Sequence, residues 1–293
     1  MRLPLIFLFL FANALFGGEE YTLRIFRPSK VGERVRASGT FVGEERVETI
    51  VNGKDPEAET MTADVEFAYD SEVVDVSPEG KVMGIRLTLT HHRGTVNGAT
   101  ANQFAAEDVI IVKRERAGKS TITVNGTSAT EEQRKLIESW GNVSAPGPTT
   151  DEDTLGNPNK VRVGEHWPVN VSAMLKQAEE QEMVGLKPEY IKGSVKVEGV
   201  VTEGGKECLV VRSNVSVEGI PIRDVPKGAG ITSMNFGEEL EEAFPIDASD
   251  TVIPWKKVTT TIRLVVEGDS TEGKVEVRTL SKDVLVRRKM RIE

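Results

Sequence analysis

"TVIPWKKVTTTIRLVVEG", residues 251–268, decides the fold. Val258, Thr260, Ile262, Leu264 and Val266 fall on one side of an extended chain, and Thr259, Thr261, Arg263 and Glu267 on the other. A two-residue period of this kind marks a strand with one face turned to a core. The same pattern runs through "KDVLVRRKMRIE" (282–293), where Val284, Val286, Met290 and Ile292 share a face and Arg287, Lys289 and Arg291 the opposite one. That basic row is expected on the wet side of a final strand, solvated or protecting an edge. A polyanion site is its alternative use.

Turn signals separate these runs. "SPEGK" (77–81), "RAGK" (116–119), "TEGGKE" (202–207) and "GDSTEGK" (268–274) each lie between stretches of apolar alternation and read as hairpins. Neighbouring strands are therefore expected to be antiparallel and sequential. The fold class is mainly β (α+β): long antiparallel meander strands in one or two curved sheets or half-barrels, with two or three short helices.

The helical signals are local. In "SATEEQRKLIESWG", Thr130 and Gln133 have the spacing of a capping box, Leu136, Ile137 and Trp140 form a stripe, and Gly141 ends it. In "VSAMLKQAEEQEMVG", Ser172 is the expected cap, Met174, Leu175 and Ala178 pack, and Gly185 is the stop. A third short helix is expected at "FGEELEEAF" (236–244), its charges solvated. Residues 141–160, rich in Pro, Gly, Thr and Asp, carry no period and mark the internal boundary. The organisation expected is a leader at 1–18, a first β-rich half at 19–145 with a helix near 131–140, a linker at 146–160, and a second half at 161–293 with a helix near 173–184.

The chain opens "MRLPLIFLFLFANALFGG": a basic residue, a short apolar run and small residues, the pattern of a secretory signal peptide. The run is too short to span a bilayer, so no transmembrane segment is expected in the mature chain. The expected location is exported, periplasmic or extracellular. Loss of Arg2 with the leader takes the formal charge from −9 to −10. An acidic chain without basic–aromatic runs argues against nucleic acid as a partner. Cys208 is the only cysteine, so an intrachain disulfide is excluded, and its neighbours Leu209, Val210 and Val211 mark it as a buried strand residue.

Two stretches share a turn: "PSKVGERVRASGTF" and "PNKVRVGEHWPVNV". Gly32 and Gly164 supply the turn, Glu33 and Glu165 its exposed corner, and an internal repeat of two sheet units is the implied architecture. His166 then points away from the core while Trp167 anchors it. His91 and His92 are adjacent, so an unbroken strand sends them to opposite faces and they cannot ligate one metal together; a bend at the strand end would be required. The stretch Asp151-x-Asp153-x-x-Gly156 begins like a calcium loop but puts Leu155 and Arg162 where oxygen ligands belong. No nucleophile elbow, phosphate loop or zinc motif is present. Acid pairs such as Glu44–Glu45 and Asp247–Asp250 are expected by chance among 46 acids. No catalytic, metal or cofactor residue is assigned.

"YTLRIFRPSKVGERV", "SEVVDVSPEGKVMGIRLTLT", "AAEDVIIVKRERAGKSTITVNG" and "NKVRVGEHWPV" resemble a family of exported bacterial β-rich proteins with a V-G-[DE]-x-W turn and no assigned activity. The resemblance spans residues 21–185 and departs at "AAEDVIIVKR", which has Ala-Glu-Asp in place of the family's Gly. It implies an architecture similar to the curved half-barrels that carry lipoproteins or lipids across the periplasm, with the ligand on a concave face. The expected function is non-enzymatic binding of an apolar ligand, lipid or lipoprotein, or of an envelope partner. A structural or protein–protein module is the alternative, and a hydrolase using carboxylates or His91 and His92 the third.

Overall fold

The computed structural model describes residues 19–100, 103–115, 120–140, 147–180, 186–219, 229–270 and 273–292. The expected leader at 1–18, the expected "RAGK" turn and the expected helix stops Gly141 and Gly185 lie outside them. Strands β1 (Arg34–Val51), β2 (Glu57–Val76), β3 (Val82–Val96), β4 (Ala99–Thr100), β5 (Val109–Arg114), β6 (Ser120–Val124) and β7 (Thr127–Ser128) come first. Helices α1 (Glu131–Trp140) and α2 (Asp151–Leu155) follow, then β8 (His166–Pro168), α3 (Val171–Glu180) and a short 3-10 turn at Pro188–Tyr190. The chain ends in β9 (Ile191–Glu203), β10 (Lys206–Glu218), β11 (Ala229–Pro245), β12 (Trp255–Ser270) and β13 (Gly273–Arg291).

All these strands form one open antiparallel sheet in the order β7-β6-β5-β3-β2-β1-β13-β12-β11-β10-β9-β8, with β4 paired to β3. Sequential hairpins build both wings, as the turn signals predict. The exception is the seam: the first long strand pairs with the last, from Val35↔Arg291 to Val51↔Val275. The sheet is thus a meander whose break falls in mid-chain, between β7 and β8, where α1 and α2 lie, with α3 following β8. Its edges are two and three residues long, too short to template pairing with another chain.

The hairpin chemistry is local. Gly204 and Gly205 both have positive φ, as a two-residue turn of primed type requires. Asn52–Gly53, Asn97–Gly98 and Asn125–Gly126 do the same at three further turns.

Registers place one face of every long strand toward the helices. Two apolar clusters sit there. The first gathers Val65, Phe67, Leu89, Ile110, Ile122, Ile137 and Trp140 between β1–β6 and α1. The second gathers Val195, Val197, Leu209, Val211 and Phe244 with Leu155, Met174 and Leu175 of α2 and α3. Leu23 and Ile25 of the N-terminal segment pack in the second cluster, and Tyr21 bridges to Val161. Burial on this scale contributes about 1.5–3 kcal/mol for each large side chain.

Four expectations need correction. Residues 236–244 are strand, not helix: Glu238, Leu240 and Glu242 face the helices while Glu239 and Glu241 face outward, where Arg212 meets Glu241. Cross-strand cations make an acidic run tolerable in a sheet. The helix α3 is capped by Asn170, whose Oδ1 accepts from the Ala173 N–H at 3.2 Å, rather than by Ser172. Glu33 is no exposed corner; its side chain is 11% exposed and accepts from Thr251 and from Arg291 at 3.4 Å. The basic row of β13 is reversed too: Arg287 and Lys289 face the helix side, and Met290, on the other side, is 60% exposed. Alternation separates two faces but carries no label for which one is covered.

The shared turn itself forms as read. Gly32 and Gly164 have φ of 83° and 84°, and their N–H groups donate to Val73 and Val197 across the sheet. The carbonyls of Glu33 and Glu165 accept from those same partners in return.

Residues 147–160 hold α2, opened by a Thr150–Asp153 capping box. Glu152 accepts from the N–H groups of Ile25 and Phe26, and the Lys81 ammonium donates to the carbonyls of Gly147 and Pro148. These bonds pin α2 over the middle of the sheet.

Candidate ligand-binding cleft

Between the two apolar clusters the covered face changes character. Following register across the sheet gives one rank that reads Val211, Glu242, Lys256, Arg287, Gly39, Phe67, and a second that reads Val215, Glu238, Thr260, Asp283, Gly43. Apolar residues end each wing, and charged residues with two glycines occupy the seam. Only Gly fits at position 39, because a Cβ there meets the Val286 carbonyl and lies 2.8 Å from Phe67 Cζ.

A cleft of about 430 Å³ opens above these ranks. Phe41, Leu240, Val258 and Leu285 give it an apolar floor, α1 contributes Glu138 and Ser139, and α2 contributes Asp151 and Leu155. Glu238, Lys256, Asp283 and Arg287 supply charge from the sheet. Arg287 also lines an adjoining pocket of about 200 Å³, closed by Tyr69, Leu87, Val112, Ile137 and Trp140, with Arg114 and Lys289.

Burial dominates the electrostatics. It pushes the Glu238 carboxyl above the usual range, and the Asp151 carboxyl too, whose enclosure within the cleft raises it although the residue as a whole is exposed; the Lys256 ammonium opposes the shift in each. Asp283 is raised by burial first and by Glu45 second. Glu242 is held by Lys256 at 2.9 Å. On the other side, Lys289 is driven well below the usual lysine range, by the Arg287 guanidinium first and by burial second. The residue as a whole keeps intermediate exposure, but its ammonium is deeply enclosed, and the ammonium is what titrates. The cleft is therefore acidic at the α2 end and basic at the Trp140 end.

The three histidines stand elsewhere. His166 is exposed on the edge strand, beside Trp167, whose indole N–H donates to the Leu155 carbonyl at 2.9 Å. His91 and His92 do project to opposite faces. The register slips at Thr90, so Leu89 and His92 both point inward. His91 lies 3.7 Å from Glu66 in solvent, while the His92 ring packs 5.2 Å from both Phe104 and Trp140. Glu44 and Glu45 alternate across β1, and Asp250 is tied to Lys206 and Arg291, so neither acid pair converges on the cleft. Cys208 is a fully buried free thiol whose pKa burial raises, the reverse of a reactive thiolate. Among the described residues no group of three His, Cys, Asp or Glu could hold a metal ion.

The sequence reading missed the cleft residues. From sequence Asp151 reads only as part of a calcium loop, Glu238 as a helix residue, and Arg287 and Lys289 as residues of the wet face. The available signal was the charge interrupting apolar alternation in β11, β12 and β13 at matching registers, visible only once the strands are paired.

No protein-family model matches the chain, and no curated protein does. A solved structure described as "Lipid-protein interactions in lipovitellin" is similar to it at 10% identity and a TM-score of 0.32, covering 87% of this chain and 25% of that one. The chain thus spans about a quarter of that protein's chain. No helix among the described residues is long and apolar enough to cross a membrane.

Proposed function

We propose that the protein is an exported, non-enzymatic binding protein that holds an apolar or amphipathic ligand in the cleft above the β1–β13 seam. The observation that carries this reading is the seam itself. Two packed apolar clusters flank a covered face that is left unfilled, with about 430 Å³ of space against Phe41, Leu240, Val258 and Leu285. Ligand sites are concave and combine apolar surface with placed polar groups, and this cleft sets its apolar floor beside six charged side chains, a make-up that suits an amphipathic ligand. Export is supported by the leader-like residues 1–18. The non-enzymatic reading is supported by the cleft's chemistry: among the described residues no histidine or cysteine lines it beside the acids, and its Ser139 hydroxyl donates to the Leu136 carbonyl at 2.7 Å rather than to a base.

Native mass spectrometry of residues 19–293 purified from its exported compartment tests the proposal. Extra mass released by organic extraction as an apolar compound is the expected result. A bare polypeptide mass, unchanged after incubation with envelope lipid extract, would overturn it.

A further inference from the structure

We propose that the 200 Å³ pocket beside Trp140 is a site for an amphipathic carboxylate, its head held by Arg287, Lys289 and the Trp140 indole N–H and its compact apolar body lying against Leu87, Val112 and Ile137. This deepens the reading of the cleft given above and rests on it.

Three observations carry the assignment. The charged groups of the lining are all cations, and its other polar side chains are the Trp140 indole and the Tyr69 and Ser71 hydroxyls. Arg114, Arg287, Lys289 and Trp140 line the pocket, and no carboxylate does so among the described residues. Two of those donors are buried without an acceptor: the Trp140 indole N–H and the Arg287 Nε–H have no hydrogen-bond partner. Among the described residues Arg287 reaches only the Trp140 carbonyl, through Nη1 at 3.4 Å. A buried donor left unsatisfied is destabilising, and an incoming acceptor relieves that cost.

Like charges are also forced together. Lys256 stands directly across from Arg287 in the register, and Lys289 lies two residues along the same face of β13. The carboxylates that act on Lys289 are already committed: Glu242 to Lys256 at 2.9 Å, and Glu33 to Arg291 and Thr251. Directly opposed like charges destabilise a sheet unless a counter-charge sits between them. The Arg287 guanidinium first, and burial second, hold the Lys289 ammonium toward its neutral form; the positive potential behind that repulsion is what an incoming anion neutralises.

Size and shape select the class. A cavity of about 150 Å³ accepts a benzene, so about 200 Å³ takes one ring or a short alkyl chain. A planar carboxylate suits the two-pronged guanidinium of Arg287.

Octanoate, octanol, octylammonium and inorganic phosphate, each titrated into the protein by calorimetry, test this. The Trp140 indole N–H resonance is followed in parallel. Octanoate is expected to bind at least about tenfold more tightly than the other three, the worth of one charge-assisted hydrogen bond, and to shift that resonance downfield. Arg287→Met and Lys289→Met should each weaken octanoate about tenfold or more, leave octanol unchanged, and melt no lower than the parent without ligand. Equal binding of octanol and octanoate would overturn the anionic head while leaving the apolar-ligand reading intact. Phosphate matching octanoate would overturn the apolar body. Octanoate binding that survives both substitutions would place the head elsewhere and overturn the assignment. Failure of all four probes would overturn the pocket, while the mass measurement above decides the wider cleft separately.

Discussion

Glu242 of β11 and Lys256 of β12 meet at 2.9 Å on the covered face of the sheet, with the carboxylate side chain only 8% exposed. The pair lets an acidic stretch enter a sheet interior, and it stands between the second apolar cluster and Arg287. Removing one partner of an enclosed pair strands the other charge. Glu242→Ala is expected to destabilise the fold by about 3–5 kcal/mol, read as a fall in the urea midpoint at pH 7. Joint replacement by Glu242→Leu and Lys256→Met should recover most of it, and a double variant as weak as the single one would refute the pairing.

Trp167 and His166 are neighbours with opposite duties. Trp167 packs on the second cluster and holds Leu155, the last residue of α2, through its indole N–H. Trp167→Ala should cost about 3 kcal/mol, the low end for a large aromatic because the ring is partly exposed. His166→Ala should move the melting temperature very little. Comparable shifts for the two variants would contradict the assignment.

The His92 ring lies among Phe104 and Trp140 with neither nitrogen hydrogen-bonded, and burial, then His91, lowers its pKa. A lowered pKa means the folded state binds fewer protons than the unfolded one. Stability from this residue is therefore present above the unfolded value of about 6.5 and is lost as pH falls through it toward the folded value. His92→Phe should abolish that loss. Melting curves at pH 5 and pH 7.5 are expected to show a larger gain for the variant at pH 5, and an equal gain at both would refute the linkage.

Gly39 is the close approach at the seam, beneath Phe67 and against the β13 backbone. Gly39→Ala should cost about 1–3 kcal/mol, the usual range for overpacking, because the Val286 carbonyl belongs to a paired strand and cannot retreat. Equilibrium denaturation measures it, and a neutral substitution would mean the seam is looser than the register implies.

Much of the fold was legible in the chain. Period-2 alternation found β12 and β13, the turn signals at 77–81, 202–207 and 268–274 found three hairpins but not the Asn-Gly turns at Asn52, Asn97 and Asn125, and the Thr130–Gln133 spacing found α1, where both capping bonds form. Those signals act over a few residues, so they survive in any context. The acidic run of β11 misled because its charges resemble a solvated helix until Arg212 and Lys256 are brought opposite them. The helix α2 escaped notice because five residues cannot show a helical period; its capping box alone marks it.

By itself the sequence determined a β-rich chain of antiparallel hairpins with a few capped helices, because strand period, turn conformation and capping are local properties of the backbone. Only the tertiary structure decided that β1 would pair with β13, and with that which face of the last strand is covered. Pairing across more than 200 residues brings Arg287 beside Gly39, Lys289 beside Ala37, and both beneath Trp140. No local rule specifies such a contact. The cleft exists because distant strands, each with an acceptable alternation of its own, place their charged positions in the same ranks.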